Sequence, residues 1–379
     1  MRFLSSAPSQ TRRRHRLRWL WLGLFGFATA APAADPTAEQ QYWLELINRF
    51  RRDPAGELGR LVNFSSPGVW DSLKSIDPNV QIALDFYGTD ALTLQVQWDA
   101  LTPAPALAWS SQLAATATTY SNVMVQQDQQ AHGLDGLTLT QRIVGGGYTS
   151  NFLELGESLF AATANVFHGH SAFAIDWGDS DGNPLNGYGT GIQTPALHRE
   201  VTMDRLFKEI GIGFQSIAIP SSNANAFGPI VATQHLASAF RQTGTAFVSD
   251  AIVTGVVYAD TLLADDFYTP GEGLANVMIQ VWDTFTSTLL TSGFTNAVGG
   301  FNIVTPDLVL GRTYAIRALD TGLDDVLFTA TGSTEDYGAP VLFFDNAYAS
   351  FQLVPEPASL ALTLLGLSCL FRTRSRPRP

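Results

Sequence analysis

Three side chains in one stretch of the chain have the types needed for acid–base or metal chemistry. His132 lies in AHGLDG (131–136), Glu157 in LELGESLF (153–160) and His198 in ALHREVTMDRLFKEIGIGF (196–214). Two imidazoles and a carboxylate can hold a divalent cation or pass a proton. His132 stands beside Gly133 after a helical run, so a turn holds it; its alternative role is to cap that helix end, where the dipole favours it. Glu157 sits among apolar residues, where a carboxylate needs a cation or hydrogen-bond donors. Between them, NVFHGHSAFAIDWGDS (165–180) adds His168, His170 and Asp176. The two histidines cannot share one face of a regular helix, and His170 is the favoured candidate of the pair. The chain has no G-x-S-x-G and no HExxH, and GGGY (145–148) lacks the Lys-Ser/Thr ending of a phosphate loop.

These groups need elements to position them. Asp35-Pro36-Thr37 has the signature of a helix start. Tyr42, Trp43, Leu46, Ile47 and Phe50 follow at helical spacing and predict one buried face. Pro54 closes that pattern. A second helix runs through Leu107, Leu113, Ala117 and Tyr120 toward His132. After His198 comes a strand-like run ending in Glu209-Ile210-Gly211-Ile212-Gly213. Arg199 is expected to fix its loop by binding carboxylate or carbonyl groups.

Four segments carry a family resemblance: ELINRFRRDPAGEL (45–58), PALAWSSQLAATATTYSNVMVQQDQQAHG (105–133), LGESL (155–159) and LHREVTMDRLFKEIGIGF (197–214). In this order they resemble the CAP superfamily of cysteine-rich secretory and pathogenesis-related proteins, in its cysteine-free bacterial branch. VATQHLA (231–237) looks like the family's last strand. The resemblance implies an α+β fold, a three-layer α–β–α sandwich over about 34–240 with an insertion at about 64–104. It also implies that His132, Glu157 and His198 share an open cleft and hold Zn²⁺ there, and that Tyr148 packs the core. Many members place a further Glu one turn before the Trp. Here SAFAID precedes Trp177, and His170 or Asp176 would substitute.

Residues 241–250 are expected to be a linker. Beyond it, AIVTGVVYAD (251–260), GLANVMIQVWD (273–283), GGFNIVTPDL (299–308) and RTYAIRAL (312–319) are strand-sized runs, predicting a small β-sandwich over 251–350. Their order resembles the Sdr-type B repeat and related prealbumin-like modules. That resemblance implies Ca²⁺ on Asp260, Asp265, Asp266 and Glu272, whose hard oxygens suit the ion.

The chain ends read as export signals. Residues 1–33 join a basic run, an apolar run and a small-residue cleavage site, a signal for signal peptidase. VPEPASLALTLLGLSCLFRTRSRPRP (354–379) resembles the PEP-CTERM sorting tail of Gram-negative bacteria, which implies an exosortase partner, transient anchoring and delivery to the cell surface or matrix. The single cysteine, Cys369, lies in it, so no intramolecular disulfide forms. These ends hold ten Arg and one Glu; without them 12 basic and 33 acidic residues remain, a net of −21. So acidic a body repels nucleic acid. The expected function is exported, non-enzymatic binding of a divalent metal or ligand, with an extracellular polymer or a lipid-like molecule as partner. The alternatives are a metal-dependent hydrolase using Glu157 and His198, and a purely structural matrix component.

Overall fold

The first helix, α1 (Ala38–Arg52), starts at a capping box between Thr37 and Gln40. Asp53 ends it and caps α2 (Pro54–Leu61). A hairpin follows, β1 (Asn63–Ser66) with β2 (Val69–Lys74), then α3 (Pro78–Tyr87) and α4 (Ala91–Asp99), capped by Asp77 and Asp90. These four elements fill the expected insertion. They pack Val80, Leu84, Leu94 and Trp98 against Phe50, Ile175 and Trp177, so the insertion shares a core with the surrounding fold.

The central sheet comes next: β3 (Ala108–Trp109), then α5 (Ser111–Gln127), α6 (Leu139–Gly145) and β4 (Phe152–Thr163). After α7 (Val166–Ser171) and a π-helical turn (Ala172–Asp176) come α8 (Leu197–Met203), β5 (Glu209–Ser216) and β6 (Ile230–Ala239). The strand order is β3-β5-β6-β4. Strand alternation sends Ile210, Ile212, Ala232 and Leu236 to the face covered by α1. The opposite face takes α5. Gly211 and Gly213 explain how closely: a Cβ there would stand 1.9 Å from the Ala114 amide nitrogen and 2.0 Å from that of Thr118. The glycines let the helix backbone rest directly on the strand. Helices on both faces of one sheet give the three-layer α–β–α arrangement.

The computed structural model describes residues 34–66, 69–178, 189–217 and 228–354. The leader at 1–33, the tail from 355 and Cys369 lie outside the described residues. Among the described residues, no helix is long and apolar enough to cross a membrane.

Residues 241–250, expected as a linker, instead carry β7 (Arg241–Thr243) and β8 (Ala246–Ser249). Then come β9 (Ala251–Ala259), β10 (Met278–Asp283), β11 (Thr288–Phe294), β12 (Gly300–Thr305) and β13 (Thr313–Ala318). The last strands are β14 (Val326–Thr329), β15 (Gly332–Asp336), β16 (Pro340–Phe344) and β17 (Ala347–Leu353). Sheets β11-β10-β13-β14 and β12-β9-β17 enclose Val253, Val257, Ile279, Val281, Phe301 and Phe351. A third sheet, β15-β16-β8-β7, draws in the supposed linker, because β8 pairs with β16.

The described residues all fall in one compact unit, and its junction is polar and buried. Asn346 donates to the Ala106 and Lys208 carbonyls at 2.9 and 2.8 Å and accepts the Ile252 amide at 2.9 Å. The Lys208 ammonium donates to the carbonyls of Ser249, Asp250 and Phe344. Burial pushes its pKa down to about 7. Glu45 of α1 accepts from Tyr348 at 2.5 Å. This is why α1 buries Gln41 and Glu45 as well as its apolar face. The Arg51 guanidinium is fully buried and donates to the carbonyls of Pro105, Thr202, Asp204 and Phe207. A junction of this kind predicts one cooperative unfolding transition for the helical and strand-rich parts together. Asn346→Ala is expected to lower stability by about 2 kcal/mol, since it strands buried partners. Denaturant unfolding followed separately by circular dichroism and tryptophan emission checks this: non-coincident curves in the wild type would refute the coupling.

Candidate functional site

A cleft of about 360 Å³ opens beside the π-helical turn. Phe160 from β4, Phe173 and Trp177 from the turn, and Tyr87 from the insertion give it aromatic walls. Gln130, Gln193 and His198 supply polar groups. The insertion at 64–104 thus forms one wall through Tyr87.

His198 is fixed by Asp176. The buried carboxylate takes the His198 Nδ1 at 2.7 Å with one oxygen. Its other oxygen accepts the backbone N–H of His198 at 2.9 Å and of Arg199 at 3.4 Å. One carboxylate therefore orients the imidazole and caps the start of α8, leaving Nε2 for a ligand. Asp176 adopts a left-handed backbone, φ +58°, where the π-helical turn ends. Arg199 points the other way, donating to the Ala174 and Ile175 carbonyls and to Gln97 of the insertion. It holds carbonyls and an amide, which fits the loop-fixing role expected for it.

His132 and Glu157 meet elsewhere. Glu157 accepts from His132 Nδ1 at 2.7 Å, from His235 Nε2 at 2.8 Å and from Arg142. Glu157 and His235 are register partners across β4 and β6. Behind them, His235 Nδ1 lies 2.8 Å from Thr116 Oγ1, and Arg142 is held by Asp135 at 2.8 and 2.9 Å. Burial would raise the Glu157 pKa, but the hydrogen bonds from His132 and His235 and the charge of Arg142 outweigh it and hold it at about 2. Burial pushes His235 down.

The expected set of His132, Glu157 and His198 therefore does not assemble as one ligand sphere. Glu157 is saturated by two imidazoles and a guanidinium, and His198 is committed to Asp176. His170, the further candidate, lies buried with Nε2 2.9 Å from Glu57, which also takes Arg49 at 2.6 and 3.0 Å. His168 accepts the Ala164 amide and packs against Trp177, its ring 5.3 Å away. Tyr148 does pack in the core, and its hydroxyl donates to Glu209 at 2.5 Å.

The loop of Asp260, Asp265, Asp266 and Glu272 also satisfies itself. Glu272 accepts the amides of Thr261, Leu262, Leu263 and Thr269, and Asp260 accepts those of Asp265 and Asp266. Gln352 donates to both Asp260 and Asp266 at 2.9 Å. Among the described residues, no group of three or more His, Cys, Asp or Glu side chains is placed to hold a metal ion. The donor sets read from sequence for zinc and calcium thus do not fit those ions in this arrangement.

Glu157 generates a pH prediction. Its pKa is depressed on folding, so its stabilisation is complete above the ordinary glutamate pKa of about 4.3 and is lost as pH falls toward about 2. Glu157→Gln should cost about 3 kcal/mol at neutral pH by stranding Arg142 and His235. Urea midpoints for both proteins between pH 7 and pH 2 should converge as the pH drops; a constant gap would contradict the assignment.

Residues 44–218 match the model of the cysteine-rich secretory protein family, CAP. No curated protein matches the chain. Among solved structures, an outer surface protein from Borrelia burgdorferi is similar at 15% identity over 44% of this chain and 96% of that one, with a TM-score of 0.25. An extracellular protein containing a SCP domain from Bacillus anthracis str. Ames is similar at 18% identity, TM-score 0.25, over 44% of this chain and 46% of its own length. Schistosoma mansoni venom allergen-like protein 4 is similar at 12% identity over 43% and 89%, with a TM-score of 0.22. The chain thus carries a CAP domain over residues 44–218, followed by a region rich in antiparallel strands.

Proposed function

We propose that this chain is an exported, non-enzymatic binding protein whose CAP cleft receives a small organic ligand. The observation that carries this reading is the cleft itself, with aromatic walls and one imidazole locked by Asp176. Preformed concave sites with a few fixed polar groups are how proteins hold small ligands. Among the described residues lining the cleft there is no Ser, Thr or Cys to act as a nucleophile, and the one carboxylate in contact with His198 is occupied by it and by backbone amides. Glu157, the general base of the hydrolase alternative, is held ionised by its own cluster and does not line the cleft. A metal-binding role is not part of this reading, because the donor set divides between two clusters. Export and surface delivery rest on the leader at 1–33 and the sorting tail at 354–379.

The test uses the purified protein with 4-nitrophenol as an aromatic probe, read by quenching of tryptophan emission. Saturable quenching is expected in the wild type. Ala172→Trp fills the cleft and should weaken it about tenfold or more, since lost space cannot be recovered by repacking. Glu157→Gln should leave it unchanged. Absent quenching in the wild type, or equal quenching in Ala172→Trp, would overturn the proposal.

A further inference from the structure

We infer that the cleft is built for a neutral, polyhydroxylated ring, a mono- or disaccharide unit of the kind found in extracellular polymers. This inference rests on the cleft being a binding site and names the chemical class it takes.

Charge narrows the choice first. Among the described residues lining the cleft there is no Lys, Arg, Asp or Glu. A phosphate or a multiply charged anion would find one imidazole, and a cation would find no anion facing it, so burial of either goes uncompensated. Polarity narrows it next. An acyl chain would cover Gln193 and His198 Nε2 without giving them partners, and a desolvated polar group left unpaired costs affinity.

A sugar ring satisfies both constraints. Its C–H faces pack on aromatic rings, and its rim of hydroxyls both donates and accepts. The cleft offers aromatic surface on the half-buried Tyr87 and Phe160, and amide and imidazole groups that match hydroxyls. The polar groups differ in freedom. Gln130 is anchored: its Oε1 accepts the Ala161 amide at 2.7 Å and its Nε2 reaches the Leu159 carbonyl at 3.4 Å. The Gln193 backbone is pinned to the Asp176 carbonyl at 2.8 Å, while its side chain makes only a long contact of 3.5 Å to the Trp177 carbonyl among the described residues. Gln193 thus keeps its amide for a ligand on a fixed main chain. Because Asp176 takes the Nδ1 hydrogen, a neutral His198 presents Nε2 as an acceptor for a hydroxyl. A volume of about 360 Å³ accommodates one or two such rings.

Calorimetry on the full chain with cellobiose, maltose and N,N′-diacetylchitobiose tests this, with laurate and 4-nitrophenol as companion probes. At least one disaccharide is expected to bind saturably. Gln193→Ala should weaken that binding about tenfold, the worth of a hydrogen bond to a desolvated partner, and leave the circular dichroism spectrum and melting temperature at their wild-type values. That second readout shows the variant to be folded. If 4-nitrophenol binds and no disaccharide does, or if laurate binds in preference, the saccharide assignment is wrong while the cleft stands. If no probe binds, both readings fall.

Discussion

The Asp176 carboxylate is the constraint on which the cleft depends. It accepts three donors from two adjacent residues and so joins the end of the π-helical turn to the start of α8. The segments are far enough apart in sequence that no local hydrogen bond could do this. The left-handed backbone at Asp176, φ +58°, is uncommon for a residue with a side chain. It persists because the carboxylate is held at both oxygens and because Arg199 grips the two preceding carbonyls. Trp177 follows at once, and the Gln193 amide bonds the Asp176 carbonyl. Three cleft residues, Trp177, Gln193 and His198, are therefore placed by one buried side chain and its backbone.

The same device recurs without a cleft. Glu57 takes His170 and Arg49; Glu157 takes His132, His235 and Arg142. In both, burial would raise the carboxyl pKa, but the basic partners win and the acid is held at about 2. Such groups are poor proton carriers near neutrality and good ties between elements: Glu57 links α1, α2 and α7, and Glu157 links β4, β6 and α6. Titratable residues in this fold are mainly structural pairs. A reading that ranks sites by histidine and carboxylate alone gathers these ties together with His198, the imidazole that reaches the cleft among the described residues.

That mixture sets how much is legible in the sequence. The EIGIG run announces its packing, because only glycine lets α5 lie on β5, and the order of helices and strands follows from spacing and family likeness. His198 is legible as a group that faces the cleft. Its division from Glu157 is not, since it depends on strand register: Glu157 faces His235, a residue of VATQHLA, a run read only as a last strand. Tyr87, Gln130 and Gln193 give no signal, being neutral residues of types found on every surface. Periodicity in α1 shows one buried face; the second is covered by strands some three hundred residues later, through Glu45 and Tyr348. The hairpin at 241–249 is short, and its place in a sheet is set from afar, because β8 finds its second partner at Val341–Phe343.

The strand-rich part is consequently more than an appendage. Arg49 lies over the Phe267 ring at 4.3 Å and Arg52 over Tyr348 at 3.8 Å, so α1 uses the strand-rich part as its second wall. A flexible tether would let the CAP domain turn freely, and its surface would have to be wettable on the side of α1. Here that side holds Gln41 and Glu45 at almost no exposure, with Lys208 bonded to carbonyls of the strand-rich part and Asn346 to carbonyls of the CAP domain. Parting them would leave donors and acceptors that have been shaped to each other rather than to water. The cleft is lined by β4, the π-helical turn and α8; α8 packs on α1, and Trp43 of α1 stacks on Phe173 of the turn. One helix, α1, thus stands between the elements that line the cleft and the strand-rich region.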